Sequence, residues 1–499
     1  MKSAVTLATG SLLASVAHAQ VVQWDIQKRD LAPKKGLRRR AASTYTEVIT
    51  NEEARGGYFA TVSVGTPAQN LTLQLDTGSS DIWVPSSQSS VCEKSASRGG
   101  SSSSSSSDGC TFGSFNPDKS SSYTVVGQGD FSIAYVDGSH SKGDYFTDVF
   151  EIGGAKLSNM TMGLGEDTDI PYGLVGVGYA INEAIVGTEQ SLSAAYDNLP
   201  VLMQNEGLIA TNAYSLWLND LDASTGSILF GGIDTEKYEG DLSRLDIIKD
   251  EQTNSFSSFI VYLTSVTANS SSGSDTLSSR EFPIPVVLDS GTTLSYLPTD
   301  IAAQVWTEVG AIYSSEVDSA IVPCSMASSK GQFTFGFGGD NGPKISVGMD
   351  ELVLSLVTSG SNPTFRSGQY AGKEACQFGI QNFSSDPFLL GDTFLRSAYV
   401  VYDLVNNQIG IAKTDFNSTT SNVVAFASDG AQMPSATAVA NQVTATGSAG
   451  TFATPTYGAM KGFTEANAAV SVPVFQWAQL GVMGATTLFM LIGSGFFLL

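Results

Sequence analysis

The chain has 499 residues, more than one hydrophobic core usually holds, and its 51 Gly against 16 Pro suit a turn-rich globular protein. Its 25 Lys and Arg residues are outnumbered by 48 Asp and Glu residues, which gives a net charge of −23. This excess of negative charge argues against nucleic acid as a partner and favours basic or neutral partners.

The N-terminal 40 residues have the pattern of a secreted precursor. Residues 1–19 begin with Lys2, continue with an apolar stretch and end in a small-x-small site, which predicts a signal peptide; a buried N-terminal helix is the alternative. Residues 20–40 are basic and end in three arginines at 38–40. We therefore predict a propeptide cut by a protease that processes basic residues, the alternative being a basic arm kept in the mature protein.

Beyond the predicted propeptide, the sequence changes to short alternating apolar stretches separated by Gly turns, which is typical of antiparallel β structure. We predict two β lobes, the first at 41–230 and the second at 231–414. Helical periodicity is sparse and is clearest at 301–313, with a second candidate near 191–204.

One short pattern occurs twice. Residues 73–80 read Leu-Gln-Leu-Asp-Thr-Gly-Ser-Ser, and residues 286–293 read Val-Val-Leu-Asp-Ser-Gly-Thr-Thr. Each copy has an apolar-apolar-Gly partner downstream: Gly176 follows Asp76 by 100 residues, and Gly391 follows Asp289 by 102 residues. An isolated Asp after a strand usually only caps a turn, but two matched copies indicate an internal duplication.

A duplicated Asp loop has a chemical interpretation. Two carboxyl groups brought together across a pseudo-twofold axis cannot both ionise easily, so they share one proton. One can then take a proton from water while the other gives one to a carbonyl oxygen. The glycine allows a tight turn beside each carboxylate, and the hydroxyl residues can hold the loops by hydrogen bonds. The supporting residues are Thr77, Gly78, Ser79, Ser290, Gly291 and Thr292.

These two loops resemble the active-site loops of the pepsin-like aspartic endopeptidases, and the resemblance spans roughly residues 45–414. It implies an all-β, bilobal fold with two pseudo-twofold-related lobes and a few short helices. It also implies that Asp76 and Asp289 are catalytic, that Ser79 binds the first carboxylate, and that no cofactor or metal is needed. Peptides and proteins are the implied substrates, and we expect a monomer.

The resemblance also identifies a flap over the cleft. Residues 131–150 contain an Asp137-Gly138 hairpin signal, and Tyr135 and Trp83 match the tyrosine of the flap and the tryptophan that supports it. The family commonly has Gly after that tyrosine, whereas Val136 stands here. Asp137 has two interpretations: a carboxylate near the first specificity pocket that attracts Lys or Arg, or a turn residue bound to its own backbone.

The four cysteines suggest two disulfides in a secreted protein, and sequence proximity favours Cys92–Cys110 and Cys324–Cys376. Residues 86–110 form a low-complexity loop with seven consecutive serines at 101–107, for which we expect disorder. Five N-glycosylation acceptor sequences agree with secretion: Asn70, Asn159, Asn269, Asn382 and Asn417.

The C-terminal part has a composition of its own. Residues 415–467 are rich in Ser, Thr and Ala, which predicts an extended stalk. Residues 468–499 are uncharged, and the last twenty are almost wholly apolar with no Lys or Arg after them. This favours a GPI-attachment signal, with Asn467 as the first candidate for the attachment residue, over a retained transmembrane helix.

Together these patterns predict a secreted aspartic endopeptidase, GPI-anchored to the membrane or the cell wall and similar to the fungal yapsin group. The alternative is a catalytically silent GPI-anchored wall or adhesion protein that keeps the protease fold. Two histidines, His18 and His140, are too few for a serine triad once the signal is removed, and the sequence has no spaced His/Cys cluster for zinc. A glycosidase with a carboxylate pair remains open in principle.

Overall fold

The computed structural model describes residues 22–29, 57–93, 109–223, 225–250, 253–357, 360–443 and 455–464. The predicted signal peptide, the arginines at 38–40, the serine run, Asn467 and the apolar C-terminus lie outside these residues. Within them, no helix is both long and apolar enough to cross a membrane.

The described residues are predominantly β-strand, as predicted. The strands that precede the second Asp loop are β1 Val22–Arg29, β2 Gly57–Val64, β3 Gln69–Asp76, β4 Ile82–Pro85, β5 Thr124–Ala134, β6 His140–Ile152, β7 Ala155–Thr168, β8 Leu174–Gly176, β9 Ala213–Trp217, β10 Thr225–Phe230, β11 Gly232–Asp234, β12 Tyr238–Asp246, β13 Ile260–Ser270 and β14 Gly273–Leu277. The remaining strands are β15 Ile284–Leu288, β16 Ser295–Pro298, β17 Ile312–Ser314, β18 Ser319–Pro323, β19 Gln332–Phe337, β20 Lys344–Gly348, β21 Val353–Leu354, β22 Ala375–Phe378, β23 Ile380–Phe383, β24 Phe388–Leu390, β25 Ala398–Asp403, β26 Gln408–Thr414, β27 Val423–Ala425 and β28 Ala436–Ala438.

Helices are short. The α-helices are α1 Ser90–Glu93, α2 Ala184–Glu189, α3 Leu199–Asn205, α4 Thr299–Val309, α5 Met349–Leu352 and α6 Asp392–Leu395. Single 3₁₀ turns occupy Pro117–Lys119, Ala180–Asn182, Leu192–Ala194, Cys324–Ser328 and Met460–Gly462.

Two lobes share one large sheet. Strands β2 to β8 form the first lobe, and a β2–β6 pairing folds this part of the sheet back on itself. The same sheet continues through β1, β10, β9, β25, β26 and β12, so it joins the two halves of the chain. Strands β13–β16, β19, β20, β23 and β24 form the separate sheet of the second lobe. The fold is therefore the predicted bilobal, all-β architecture.

The duplicated motif corresponds to a duplicated piece of structure. In the first lobe, β3 runs parallel to β8, with Asp76 opposite Gly176. In the second lobe, β15 runs parallel to β24, and Asp289 N donates to Leu390 O at the end of that pair. In each half, the strand that contains the two apolar residues before the Gly thus lies beside the strand that leads to the Asp.

Helix α4 lies where periodicity predicted the clearest helix. It buries an apolar face that includes Ile301, Val305 and Val309. The helix ends at Gly310 in the left-handed conformation (φ 66°), so the predicted end at 313 is wrong and Tyr313 belongs to β17. In the second candidate region, near 191–204, only a 3₁₀ turn and helix α3 are helical.

The extended stalk predicted for 415–467 is wrong for the residues that the structure describes. We call residues 415–443 and 455–464 the C-terminal strap, because they pack along the body of the protein. Strand β27 pairs with β11, and β28 pairs with β12. Phe426 is fully buried, Met433 is 3% exposed, and Phe463 stacks on Phe333 with ring centroids 5.2 Å apart. Few apolar residues occur here, but they lie where the body offers apolar surface and unpaired strand edges.

Strand β1 lies within the predicted propeptide. Its backbone pairs with β10 on one side and with β2 on the other, so it occupies the junction between the two halves of the shared sheet.

Candidate active site

The two Asp loops meet where the lobes join, and a reciprocal set of hydrogen bonds ties them together. Thr77 Oγ1 donates to Leu288 O (3.0 Å) and accepts from Ser290 N (2.9 Å). On the other side of the axis, Ser290 Oγ donates to Leu75 O (3.1 Å) and accepts from Thr77 N (3.2 Å). Each loop therefore supplies a hydroxyl that forms hydrogen bonds with the backbone of the other lobe. These bonds fix the separation of the neighbouring carboxylates.

Each carboxylate is also held by its own loop. Asp76 accepts hydrogen bonds from Gly78 N (2.8 Å) and from the Ser79 hydroxyl. Asp289 accepts from Gly291 N (2.8 Å) and from Thr292 Oγ1 (2.6 Å). The two acids are 4% and 9% exposed, so both are largely removed from water. The predicted supporting residues thus surround the two carboxyl groups symmetrically.

The glycines are required by the close approach of the loops. A Cβ atom on Gly78 would lie 2.5 Å from Asp289 Oδ1, and one on Gly291 would lie 2.3 Å from Asp76 Oδ1. Real Cβ atoms essentially never come so close to another heavy atom. Each glycine therefore contacts the opposite carboxylate directly, which also shows how near the two acids are.

Burial raises the pKa of Asp76, and the neighbouring charge of Asp289 raises it further, whereas hydrogen bonds from Ser79 and Gly78 act in the opposite direction. A carboxylate pair in this environment holds one proton between its members over a range of acidic pH. One acid can then act as a base toward water while the other donates a proton. Within the described residues, no group of His, Cys, Asp and Glu side chains is arranged to hold a metal ion.

The predicted flap is a hairpin formed by β5 and β6, and Tyr135 begins its turn. Trp83 is fully buried, and its Nε1 donates to Tyr135 Oη over 2.7 Å. Trp83 lies on β4, directly after the first Asp loop. This bond therefore connects the flap to the strand that follows Asp76.

The flap turn tolerates Val136 because its left-handed backbone conformation falls on Gly138 and not on Val136. Gly138 has φ 85° and its N–H donates to Tyr135 O (2.9 Å). Val136 therefore lies in an ordinary turn position, where a β-branched side chain carries no positive-φ penalty. Asp137 is exposed, and its Oδ1 accepts from the backbone N and the hydroxyl of Ser139. These are the bonds expected of a turn aspartate.

The disulfides are the two predicted pairs, Cys92–Cys110 and Cys324–Cys376. Among the predicted glycosylation residues, Asn70, Asn159 and Asn417 are exposed, whereas Asn269 and Asn382 are half-buried. The side-chain nitrogen of Asn269 donates to Thr334 Oγ1 across the sheet, so this amide is engaged in a hydrogen bond within the protein.

Three polar residues near the site were not singled out from the sequence. Gln74 Nε2 donates to Gly291 O (3.2 Å), which adds a bond between the two lobes. Asp81 and Glu183 are each 1% exposed and lie behind the first loop. An acid directly before the apolar run Ile82-Trp83-Val84 is a signal that could have identified Asp81.

Comparisons with known proteins agree with this geometry. The family model described as "Eukaryotic aspartyl protease" matches residues 57–414. The chain is 42% identical to "Probable aspartic-type endopeptidase opsB" of Aspergillus oryzae over 85% of this chain and 82% of the relative. It is 31% identical to "Aspartic proteinase 3" of Saccharomyces cerevisiae over 79% of this chain and 76% of the relative, and 32% identical to "Barrierpepsin" of the same yeast over 75% and 63%. The chain therefore belongs to the eukaryotic aspartyl protease family and is an aspartic-type endopeptidase.

Proposed function

We propose that the protein hydrolyses peptide bonds at acid pH with a water molecule activated between Asp76 and Asp289. The observation that carries this proposal is the pair of buried carboxyl groups, each held by a backbone N–H and a hydroxyl and each in contact with the glycine of the other loop. This symmetric arrangement is suited to sharing a single proton.

The reaction then proceeds without a covalent enzyme intermediate. The ionised carboxylate takes a proton from water as the water oxygen bonds to the peptide carbon, and the protonated carboxyl donates its proton to the carbonyl oxygen. The tetrahedral intermediate collapses when one acid of the dyad donates its proton to the nitrogen, the other acid takes a proton from a hydroxyl of the intermediate, and the C–N bond breaks. The products are a carboxylic acid and an amine, and the dyad returns to its one-proton state.

Loss of activity above neutral pH follows from this scheme. Because the pKa of Asp76 is raised by burial and by Asp289, the one-proton state persists toward neutral pH and disappears when both groups ionise. The test is cleavage of a Lys- or Arg-containing peptide between pH 4 and 8, with and without pepstatin. We expect pepstatin-sensitive cleavage at pH 4–6 that declines toward pH 8. Intact peptide across this range would favour the catalytically silent alternative.

We further propose that the enzyme prefers Lys or Arg at the cleavage site, with Asp137 as the attracting group. Asp137 is exposed on the turn of the flap, and both hydrogen bonds from Ser139 end on Oδ1, which leaves Oδ2 available to a basic side chain of the substrate. The overall charge of −23 favours basic substrates in the same direction.

Secretion and surface anchoring complete the proposal. The signal-like residues 1–19, the two disulfides, and the uncharged apolar C-terminus support export and attachment through a GPI lipid to the membrane or the cell wall. Treatment of intact cells with a phosphatidylinositol-specific phospholipase C tests the attachment. Release of the enzyme by the phospholipase supports a lipid anchor in the membrane. Retention of the enzyme on cells from which the wall has been removed, after the same treatment, contradicts it.

A further inference from the structure

The carboxylate of Asp81 is buried five residues after Asp76 and receives three hydrogen bonds, from a strand, a helix and a loop. Tyr145 Oη on β6 donates to Oδ1 over 2.8 Å, and Tyr196 Oη donates to the same oxygen over 2.9 Å. Ala184 N at the start of helix α2 donates to Oδ2 over 2.8 Å. Asp81 thus connects the loop of the first catalytic Asp to a strand of the flap hairpin and to a helix.

A second buried acid, Glu183, lies beside this carboxylate. Its Oε2 accepts from Tyr196 N (2.8 Å), and its Oε1 is buried without a hydrogen-bond partner in the described structure. Burial and the charge of Asp81 raise the pKa of Glu183 to about 10. Burial also raises the pKa of Asp81, but its three donors favour the ionised form. Three donors point at Asp81 and one at Glu183, so Asp81 is the better placed of the two acids to hold a negative charge.

The residues held by Asp81 belong to an apolar wall beside the flap. Tyr145 packs edge-to-face on Phe131 at 5.3 Å and on Tyr196 at 5.8 Å, and Phe131 lies 6.3 Å from Trp83. These rings form one cluster, against which the half-buried side chains of Tyr135, Tyr172, Ala184, Ile185 and Tyr196 pack. Burial and then the charge of Asp76 raise the pKa of Tyr135, so this residue of the flap turn connects the wall to the region of Asp76.

We propose that Asp81 is a positioning residue: its buried carboxylate fixes Tyr145, Tyr196 and the start of helix α2, and so sets the wall on which an apolar substrate side chain lies next to Asp76. The inference rests on the proposed peptide hydrolysis at Asp76 and Asp289. Asp81 itself takes no part in proton transfer. Its effect is on how substrate is held, so it should appear mainly in KM and in side-chain selectivity.

The test compares Asp81→Asn and Tyr196→Phe with the control Tyr370→Phe. The control removes a tyrosine hydroxyl that donates to Gly310 O (3.0 Å) in the second lobe. Each variant is assayed on two peptides that differ only in Phe or Ala next to the cleaved bond. Since hydrogen bonds to a charged group contribute more than neutral ones, we expect kcat/KM for the Phe peptide to fall about 10-fold or more, mostly through KM, and that for the Ala peptide to fall less. Equal losses on both peptides, or no loss relative to Tyr370→Phe, would overturn the proposal.

A second variant tests which acid is charged. Glu183→Gln resembles the neutral carboxyl group, so activity and selectivity should stay within about two-fold of the wild type. A selectivity loss as large as that of Asp81→Asn would refute the charge assignment. An inactive wild-type enzyme would instead reject the proposed hydrolysis, so the two failures can be told apart. If Asp81→Asn does not fold, the selectivity of Tyr196→Phe tests the proposal instead, because this variant keeps the carboxylate of Asp81 and removes one of its hydrogen-bond donors.

Discussion

At the scale of single residues, the site depends on two positions that have no space for a side chain. In Gly291→Ala, the added Cβ would lie 2.3 Å from Asp76 Oδ1, so the loops must move apart. Because a displacement of about 1 Å in a catalytic group can cost on the order of 100-fold in rate, we expect a loss of at least this size in kcat.

Gly458→Ala is the matched control, since its Cβ would meet neighbours only at 3.5 Å or more. Peptide-cleavage kinetics and thermal unfolding of both variants check this prediction. A Gly291→Ala enzyme with wild-type kcat would mean that the two carboxyl groups are not as closely packed as described.

Asp137 allows a prediction about specificity. Replacing it with Thr keeps a side chain that can bond within the turn but removes the negative charge. We expect kcat/KM for Lys or Arg peptides to fall about 2- to 5-fold, the size of an exposed charge interaction, with little change for apolar peptides. Parallel assays on matched peptides measure this. Equal losses on both peptide classes would assign Asp137 to the turn alone.

How far the sequence reveals the site depends on where a residue's partners lie. Asp76 and Asp289 were predictable because each stands in a repeated local pattern. Asp81 and Glu183 were not singled out, because their importance comes from burial and from partners such as Tyr145, 64 residues away from Asp81. The acid next to an apolar run marks Asp81 locally, but the sequence carries no sign of which distant residues it contacts.

At the scale of elements, the C-terminal strap belongs to the folded body. It buries Phe426, Met433 and Phe463, and Ala459 N donates to Asp275 Oδ2 (2.8 Å). We predict that a chain ending at residue 414 is less stable than one ending at residue 464 by roughly 5 kcal/mol, since burial of each large apolar side chain contributes about 1.5–3 kcal/mol. Denaturant unfolding of the two secreted proteins measures the difference. Identical unfolding midpoints for the two proteins would mean that the strap does not stabilise the body, as expected of a stalk.

The elements predicted correctly are those with strong local signals. Asp137-Gly138 marks the flap hairpin, and apolar spacing marks helix α4. The strap was missed because its composition resembles that of a linker. Its strands β27 and β28 form because neighbouring strands present free edges, and backbone pairing depends little on side-chain type.

At the scale of the whole molecule, buried acids make stability depend on pH. Burial and the charge of Asp275 raise the pKa of Glu308 to about 8, and the pKa of Glu183 rises to about 10. The folded state therefore holds protons that the unfolded state releases above about pH 4.5, so stability is highest at acid pH and falls as pH rises through 8. Each retained proton contributes a slope of about 1.4 kcal/mol per pH unit.

We predict that Glu308→Gln reduces the loss of stability between pH 5 and pH 8, because the amide cannot ionise. The exposed Glu189→Gln serves as the control. Thermal unfolding midpoints of the three proteins at several pH values provide the measurement. A pH dependence unchanged by Glu308→Gln would contradict the assignment of a buried proton to this residue.

The central claim is that one acid from each lobe shares a single proton and activates water. The most direct measurement is peptide cleavage at acid pH by the secreted Asp76→Asn and Asp289→Asn variants, together with their unfolding midpoints. We predict that each variant stays folded and loses at least about 1,000-fold in kcat, since neither acid can replace the other. Peptide cleavage at the wild-type rate by either folded variant would contradict the account.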